Sequence, residues 1–171
     1  MIHEYKANPE KSTAHFKLNN TLIPDVEGDF ECLRGKFIYD PEDLKSSVIE
    51  AYIDVKTIST GKDSRDSQLK GEDFFDVSHY PTIAFHSKKF EVFDNDVLKV
   101  SGDLTLKDIT KEAVLNVEKP HNTNKRQMSI AASTIINRDE FGLALGKILE
   151  VGEVLVGDNI QITMDIQLTK E

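Results

Sequence analysis

The side chains that could bind a metal or act as nucleophiles are few and widely spaced in this 171-residue chain. The five histidines form neither a His-x-x-x-His nor a His-Glu-x-x-His pattern, and the closest pair, His79 and His86, is separated by Pro81. Zinc ligands usually stand at such short spacings, so a metal site built from dispersed histidines is disfavoured. Cys32 is the only cysteine, which excludes an intramolecular disulfide. A lone cysteine among alternating residues predicts a small buried hydrophobic side chain rather than a nucleophile.

Two Arg-Asp pairs, Arg65-Asp66 and Arg138-Asp139, could support acid–base chemistry, with the arginine orienting the aspartate as a general base. The alternative is that these side chains fasten the loops that carry them. We favour the fastening role, because the chain contains no Gly-x-Ser-x-Gly, P-loop or Gly-x-Gly-x-x-Gly motif that would complete a catalytic set. The residues alone therefore predict a binding protein, with no catalytic residue and no metal site.

Charge and length exclude several classes of protein. The 30 acidic residues against 21 Lys and Arg give a net charge of −9, which repels phosphate backbones and anionic lipid headgroups. We therefore expect no nucleic-acid partner. Nowhere do 18 apolar residues run together, so we expect a protein that is not embedded in a membrane. The first twenty residues are rich in charge, which predicts a cytoplasmic protein, or a periplasmic one if a leader has been removed.

The elements that must position any site are β-strands, because apolar and polar residues alternate along much of the chain. Such alternation indicates strands with one buried face. The clearest segments are residues 12–20, 49–56, 98–107, 127–137 and 159–168. Weaker candidates are residues 29–39, 82–93, 112–119 and 145–156, and a turn at Gly157-Asp158 predicts a hairpin between the last two strands.

One segment departs from this pattern. Residues 63–70 begin with an acidic first turn and are followed by Gly71, which predicts a short helix. Residues 72–76 extend this helical insert and present Phe74 and Phe75. The whole chain, residues 1–171, is therefore predicted to be a single all-β domain of eight or more antiparallel strands. Alternation alone leaves open whether these strands form a barrel or a sandwich.

Four blocks of residues, in order, make the chain resemble the YceI-like family of polyisoprenoid-binding proteins. The first, residues 60–85, contains Thr60-Gly61, Arg65-Asp66, Phe74-Phe75-Asp76, Tyr80-Pro81 and Phe85. The others are Gly102 to Leu106 with Thr110-Lys111, Arg138-Asp139 with Phe141-Gly142, and Val156-Gly157-Asp158. Two positions differ from the family pattern, since Lys11-Ser12 stands where members have His-Ser and Asn20 replaces a second histidine.

The resemblance implies an eight-stranded antiparallel lipocalin-like barrel with a short helical insert around residues 63–76. It also implies a long apolar ligand inside the barrel, a polyisoprenoid or an isoprenoid quinone, held by a carrier or storage protein that forms a homodimer. No other cofactor is expected. This function requires an apolar tunnel that the protein's own side chains leave open. The residues expected to line it are Phe16, Leu18, Phe30, Ile53, Val55, Phe74, Phe75, Phe85, Leu104, Ile136 and Ile162.

Two alternatives remain at this point. The first is an enzyme acting on a small apolar molecule, and the side chains that it would gather around the cavity are Arg65, Asp66, His86 and Asp139. The second is a structural or interaction module, with a filled barrel and an exposed apolar patch as its working surface. The packing of the barrel interior distinguishes this module from a carrier.

Overall fold

The structure is a computed structural model that describes residues 3–20, 26–40, 42–72, 74–94, 96–118, 121–122, 126–143 and 156–170. The strands are β1 (His3–Ala7), β2 (Thr13–Asn20), β3 (Val26–Phe30), β4 (Arg34–Tyr39), β5 (Val48–Asp54), β6 (Thr82–Asp94), β7 (Val97–Leu106), β8 (Ile109–Glu118), β9 (His121–Asn122), β10 (Gln127–Asn137) and β11 (Val156–Lys170). The helix α1 is Asp63–Lys70, and short 3-10 turns occupy Leu44–Ser46, Val55–Thr57 and Arg138–Phe141.

The strands close into an eight-stranded antiparallel barrel, as predicted. β1 and β2 lie end to end along one edge of β11, where Ala7 pairs with Leu168 and Thr13 pairs with Asp165. β3 and β4 also lie end to end and occupy the next position in the barrel wall, since β2 pairs with β3 and β1 pairs with β4. Each pair therefore acts as one interrupted strand of the wall. The ring continues through β5, β6, β7, β8 and β10, and it closes where β10 pairs with β11.

The alternation in sequence becomes alternation in burial. Along β7 every second residue, from Leu98 to Leu106, is buried, and β10 and β11 follow the same pattern. This is the expected behaviour of strands whose successive side chains point to opposite faces of the wall. The apolar residues of all these strands meet in one core inside the barrel.

A glycine allows two neighbouring strands of the wall, β6 and β7, to approach each other closely. Gly102 on β7 lies so near β6 that a Cβ atom there would come within 2.3 Å of the His86 carbonyl oxygen and 2.8 Å of the Phe85 ring. A side chain at this position would force the two strands apart. The glycine therefore lets β6 and β7 pair closely around the Phe85 side chain.

Three sequence-based predictions need correction or lie outside the described residues. β11 runs through Gly157-Asp158 with only a shift of register between Val156 and Ile160, so no hairpin turn occurs there. The candidate strand at 145–156 lies outside the described residues, apart from Val156. Cys32 is exposed, with a φ of 58°, because it lies in the break between β3 and β4 where the alternation is interrupted.

Candidate functional site

The helical insert between β5 and β6 is fastened to one end of the barrel. The carboxylate of Asp66 accepts hydrogen bonds from both the backbone N–H and the hydroxyl of Thr60, at 2.8 and 2.6 Å. The chain leaves α1 at Gly71 and turns back, and the Phe75 N–H donates to the Leu69 carbonyl at 3.0 Å. These turns, rather than a longer helix, place the two phenylalanines over the barrel mouth.

Four phenylalanines fill this end of the barrel. Phe16 of β2 and Phe30 of β3 have ring centroids 5.4 Å apart, and Phe75 lies 6.3 and 5.8 Å from them in edge-to-face geometry. Phe74 packs against Phe75 at 4.6 Å and has no exposed surface. Edge-to-face contacts of this kind add to the free energy of burial. We call this group, Phe16, Phe30, Phe74 and Phe75, the phenylalanine plug.

The other residues that the sequence predicts for the ligand site also lie in the core, apart from one whose side chain the structure does not describe. Leu18 belongs to β2, but its side chain lies outside the described part of the chain. Val55 begins a 3-10 turn after β5 and is still buried. The remaining predicted residues, all buried on the inner faces of their strands, are Ile53, Phe85, Leu104, Ile136 and Ile162. Their contact with a ligand remains a prediction.

Sequence reasoning did not predict several other large apolar residues of the core. Phe37, Phe141 and Leu143 are almost fully buried, and Phe37 stacks on Tyr39 with centroids 5.2 Å apart. Phe37 stood in a weakly alternating segment, and Phe141 in the third block of the family resemblance. The spacing of these residues within those segments is the signal that could have found them.

One cavity lies behind Gly35, with Phe37, Ile49, Ile130 and Leu168 among its lining residues, and its volume is about 10 Å³. This volume holds at most one water molecule. A long ligand must therefore displace side chains to occupy this part of the barrel.

Few polar side chains are buried with this core, and the described ones have partners. The Ser12 hydroxyl accepts a hydrogen bond from the Gln167 N–H at 3.0 Å, and the Thr134 hydroxyl donates to the Val114 carbonyl at 2.9 Å. The Ser47 hydroxyl accepts from the Asp40 N–H at 3.1 Å. Asp40 is the one buried carboxylate among the described residues, and it follows the end of β4. Between the barrel ends, the inner face of the described strands carries no charged side chain.

The side chains considered for catalysis do not come together in the described structure. Asp66 is engaged by Thr60, and His86 is exposed on the outer face of β6, with its Nδ1 atom 3.9 Å from Glu50 Oε1. The side chains of Arg138 and Asp139 lie outside the described residues. Within the described chain, no group of three His, Cys, Asp or Glu residues is arranged to hold a metal ion.

One histidine at the insert has an altered acidity. His79 Nδ1 lies 2.9 Å from Asp76 Oδ1, and Asp76 has a φ of 49° in the turn that follows the plug residues. The hydrogen bond to the Asp76 carboxylate, together with its negative charge, raises the pKa of His79 above the ordinary value for histidine. Protonated His79 therefore stabilises the turn behind Phe74 and Phe75.

None of the described helices is long and apolar enough to cross a membrane.

Comparison with known proteins agrees with this architecture. A UPF0312 protein of Staphylococcus aureus strain bovine RF122 / ET3-1 is 30% identical over 155 residues, covering 88% of both chains.

Two solved structures share the fold at low sequence identity. BcnA of Burkholderia cenocepacia has a TM-score of 0.83 at 22% identity, covering 94% of this chain and 98% of BcnA. A polyisoprenoid binding domain from Saccharophagus degradans, implicated in plant cell wall breakdown, has a TM-score of 0.76 at 13% identity, covering 98% of each chain. The profile of the YceI-like domain matches residues 5–168. The chain therefore belongs to the YceI-like family.

Proposed function

We propose that the protein binds a long apolar lipid, a polyisoprenoid or an isoprenoid quinone, inside its barrel and acts as a carrier or storage protein. The observation that carries this proposal is the apolar inner face of the closed ring, in which the described strands contribute no charged side chain between the barrel ends. The polyisoprenoid-binding domain of the same fold supports it. An interior of this chemistry attracts a ligand without charged contacts.

The free energy available from burial is sufficient for such a ligand. Each methylene group transferred from water contributes about 0.8 kcal/mol, so a chain of roughly 20 carbons gains about 15 kcal/mol before costs. Immobilising the flexible ligand and displacing protein side chains consume much of this gain. The remainder supports micromolar or tighter binding.

Room for the ligand arises most readily at the phenylalanine plug. Phe74 and Phe75 lie in turns that follow α1, so moving them breaks no pairing between strands of the wall. Phe16 and Phe30, in contrast, belong to paired strands. An outward swing of the insert would remove two large side chains from the interior and leave the ring intact.

The experiment that tests the proposal is extraction of the purified protein with organic solvent, followed by mass spectrometry of the extract. In parallel, the delipidated protein is mixed with phylloquinone, an isoprenoid quinone, and the bound quinone is measured by absorbance after gel filtration. We expect a copurified isoprenoid lipid and about one phylloquinone per barrel at saturation. A folded protein that yields no lipid and takes up no quinone would instead be the filled structural module.

A matched pair of variants on β11 separates binding inside the barrel from binding to its surface. Ile162 is buried and faces inward, whereas Gln161 beside it is exposed and faces outward. Ile162→Glu should abolish phylloquinone uptake, because an unpaired carboxylate in an apolar interior is strongly disfavoured. Gln161→Glu should leave uptake unchanged, and thermal melting of both variants shows whether each is folded. Equal uptake by a folded Ile162→Glu protein would place the ligand elsewhere.

The proposal includes no catalytic step. An enzyme acting on a small apolar molecule would turn over a bound ligand, so recovery of chemically unchanged phylloquinone after long incubation distinguishes a carrier from an enzyme. The homodimer implied by the family resemblance and the cytoplasmic compartment inferred from the sequence stay predictions, and sedimentation of the purified protein tests the homodimer.

A further inference from the structure

The wall of the barrel is weakly joined at one seam, between β8 and β10. β7 pairs with β8 along its whole length, from Val97 opposite Glu118 to Leu106 opposite Ile109. β8 pairs with β10 only at Ala132 opposite Val117 and at Ser133 opposite Asn116. Beyond these two pairs, residues 109–115 of β8 have no described strand on that side. The backbone ladder between the two strands therefore stops short of the end of the barrel that carries the insert.

Beyond the last backbone pair, a side-chain hydrogen bond joins the two strands. The buried Thr134 hydroxyl donates to the Val114 carbonyl at 2.9 Å, where a backbone N–H would serve in a continuous ladder. A single hydroxyl contact holds two strands less firmly than a run of backbone hydrogen bonds, since each such bond contributes separately. Few hydrogen bonds would therefore be lost if the two strands moved apart at this seam.

The stretches of β8 and β10 that lie beyond the ladder border a groove of about 380 Å³. On its outer side lie Val114 and Ile135, and Ile135 is 66% exposed although it is a large apolar residue. Its inner side includes Ile136 and Phe141, which belong to the buried core. Apolar side chains therefore line the groove on both its outer and its inner side, with polar residues such as Asn137 and Asn159 among them.

We propose that this seam is the route by which the apolar chain of the ligand crosses the barrel wall. The inference rests on the proposed function and adds the position of the route and the class of ligand. Entry through the seam brings the chain to the end of the barrel filled by the phenylalanine plug. Lys107 supports this placement, because its Nζ atom donates to the Glu72 carbonyl of the insert and to the Gly142 carbonyl beside Phe141, both at 3.1 Å.

The charge at the rim favours a ligand with an uncharged headgroup. The ionisable side chains among the described residues that line the groove are two carboxylates, Glu112 and Glu140. A phosphorylated headgroup would be repelled there, whereas the headgroup of a quinone or a polyprenol would not. The structure thus points to a neutral isoprenoid as the ligand that passes the seam.

Cross-linking the seam tests the route. In a Cys32→Ser background, the variant Val114→Cys/Ile135→Cys is bridged with dibromobimane, and mass spectrometry confirms the link. Ser133→Cys/Thr163→Cys, at directly paired positions of the β10–β11 ladder, provides the matched control. Phylloquinone uptake from phosphatidylcholine vesicles should slow at least about tenfold in the seam-linked protein and stay within about twofold in the control.

A second pair of variants needs no cross-link. Val114→Ser/Ile135→Ser should slow phylloquinone uptake by roughly tenfold, because the apolar surface that first receives the chain is lost. Val92→Ser/Phe93→Ser removes two other exposed apolar side chains, from the β6–β7 hairpin, and should leave uptake unchanged. Both positions of the first pair are exposed, so the melting temperature should remain that of the wild type.

The outcomes separate this inference from the proposed function. Normal uptake by the seam-linked protein, or by Val114→Ser/Ile135→Ser, would overturn the route while leaving the carrier function intact. Absence of uptake by the wild type would overturn both. Solanesol should also be taken up several-fold faster than solanesyl phosphate at low salt, and Glu112→Gln/Glu140→Gln should narrow that gap. An unchanged gap would overturn the preference for an uncharged headgroup.

Discussion

One carboxylate oxygen of Asp66 accepts hydrogen bonds from both the N–H and the hydroxyl of Thr60, at the start of the insert. Asp66 lies in α1, whereas Thr60 directly follows Ser59, which forms a β-bridge with Asp29 of β3. The interaction therefore ties the helix to the barrel wall. This is the fastening role expected for the Arg65-Asp66 pair, carried by the aspartate.

The first prediction concerns the hydrogen bonds between Asp66 and Thr60. Asp66→Ala should lower the free energy of unfolding by about 1–3 kcal/mol, because two donors lose a charged acceptor. Asp66→Asn retains one acceptor oxygen and should lose less. Asp63→Ala alters an exposed acidic residue in the first turn of the same helix and is the matched control. Urea denaturation measures all three, and equal stability of Asp66→Ala and Asp63→Ala would contradict the fastening role.

The second prediction concerns Phe75, which contacts the three other members of the phenylalanine plug. Phe75→Ala should lower the free energy of unfolding by about 3–5 kcal/mol, as expected for a truncated core phenylalanine. The same change should tighten phylloquinone binding, because the ligand no longer has to displace that ring. Calorimetric unfolding and a quinone titration measure the two effects.

Phe93→Ala is the control for this prediction, since Phe93 is 63% exposed on the β6–β7 hairpin. It should change stability by about 0.5 kcal/mol or less and leave quinone affinity unchanged. Weaker quinone binding by a folded Phe75→Ala protein would mean that Phe75 contacts the ligand directly instead of blocking it.

The third prediction follows from the raised pKa of His79. A histidine whose pKa is higher in the folded than in the unfolded protein adds stability below its unfolded pKa, and that stability is lost as the pH rises through its folded pKa. Wild-type stability should therefore fall more between about pH 6 and about pH 9 than that of His79→Gln. Asp76→Asn should behave like His79→Gln, since asparagine also tolerates the positive φ of this position.

Urea midpoints across that pH range measure the effect, and the difference between wild type and variant removes the contribution of the other histidines. Parallel curves for wild type and His79→Gln would show that the contact with Asp76 does not stabilise the insert. A reduced pH dependence together with normal quinone uptake would confine the effect to stability.

Most of the strands could be predicted from sequence because they depend on local periodicity, and the short helix could be predicted from its acidic first turn and Gly71, whereas β1 was not predicted. Alternation along β7 and β11 required only that one face of each strand be buried. The family blocks then distinguished a barrel from a sandwich, which alternation could not do. Ten of the eleven residues predicted for the ligand site are buried in the core, and the side chain of Leu18 lies outside the described residues.

What the sequence did not predict depends on pairing between distant segments. The break between β3 and β4 exposes Cys32, and nothing in its neighbours marks the end of one strand and the start of the next. The seam between β8 and β10 arises from the register of two separated strands, and a close-packed plug arises from rings on three different elements. Such features are set by tertiary geometry, to which local patterns are insensitive.

The last prediction concerns Lys107, which joins the insert to the chain beside the seam through two backbone carbonyls. Lys107→Met keeps most of the aliphatic stem but removes the donors, so it should lower the free energy of unfolding by about 1 kcal/mol. It should also accelerate phylloquinone uptake, because the insert and the groove edge are no longer held together.

Lys111→Met, an exposed lysine on β8, removes the same charge without this bridge and should change neither property. Stopped-flow measurement of quinone uptake from vesicles, with urea denaturation beside it, compares the two variants. Loss of stability with an unchanged uptake rate would show that the Lys107 bridge is purely structural. Faster uptake in Lys107→Met alone would instead show that the insert and the seam must move together when the ligand passes.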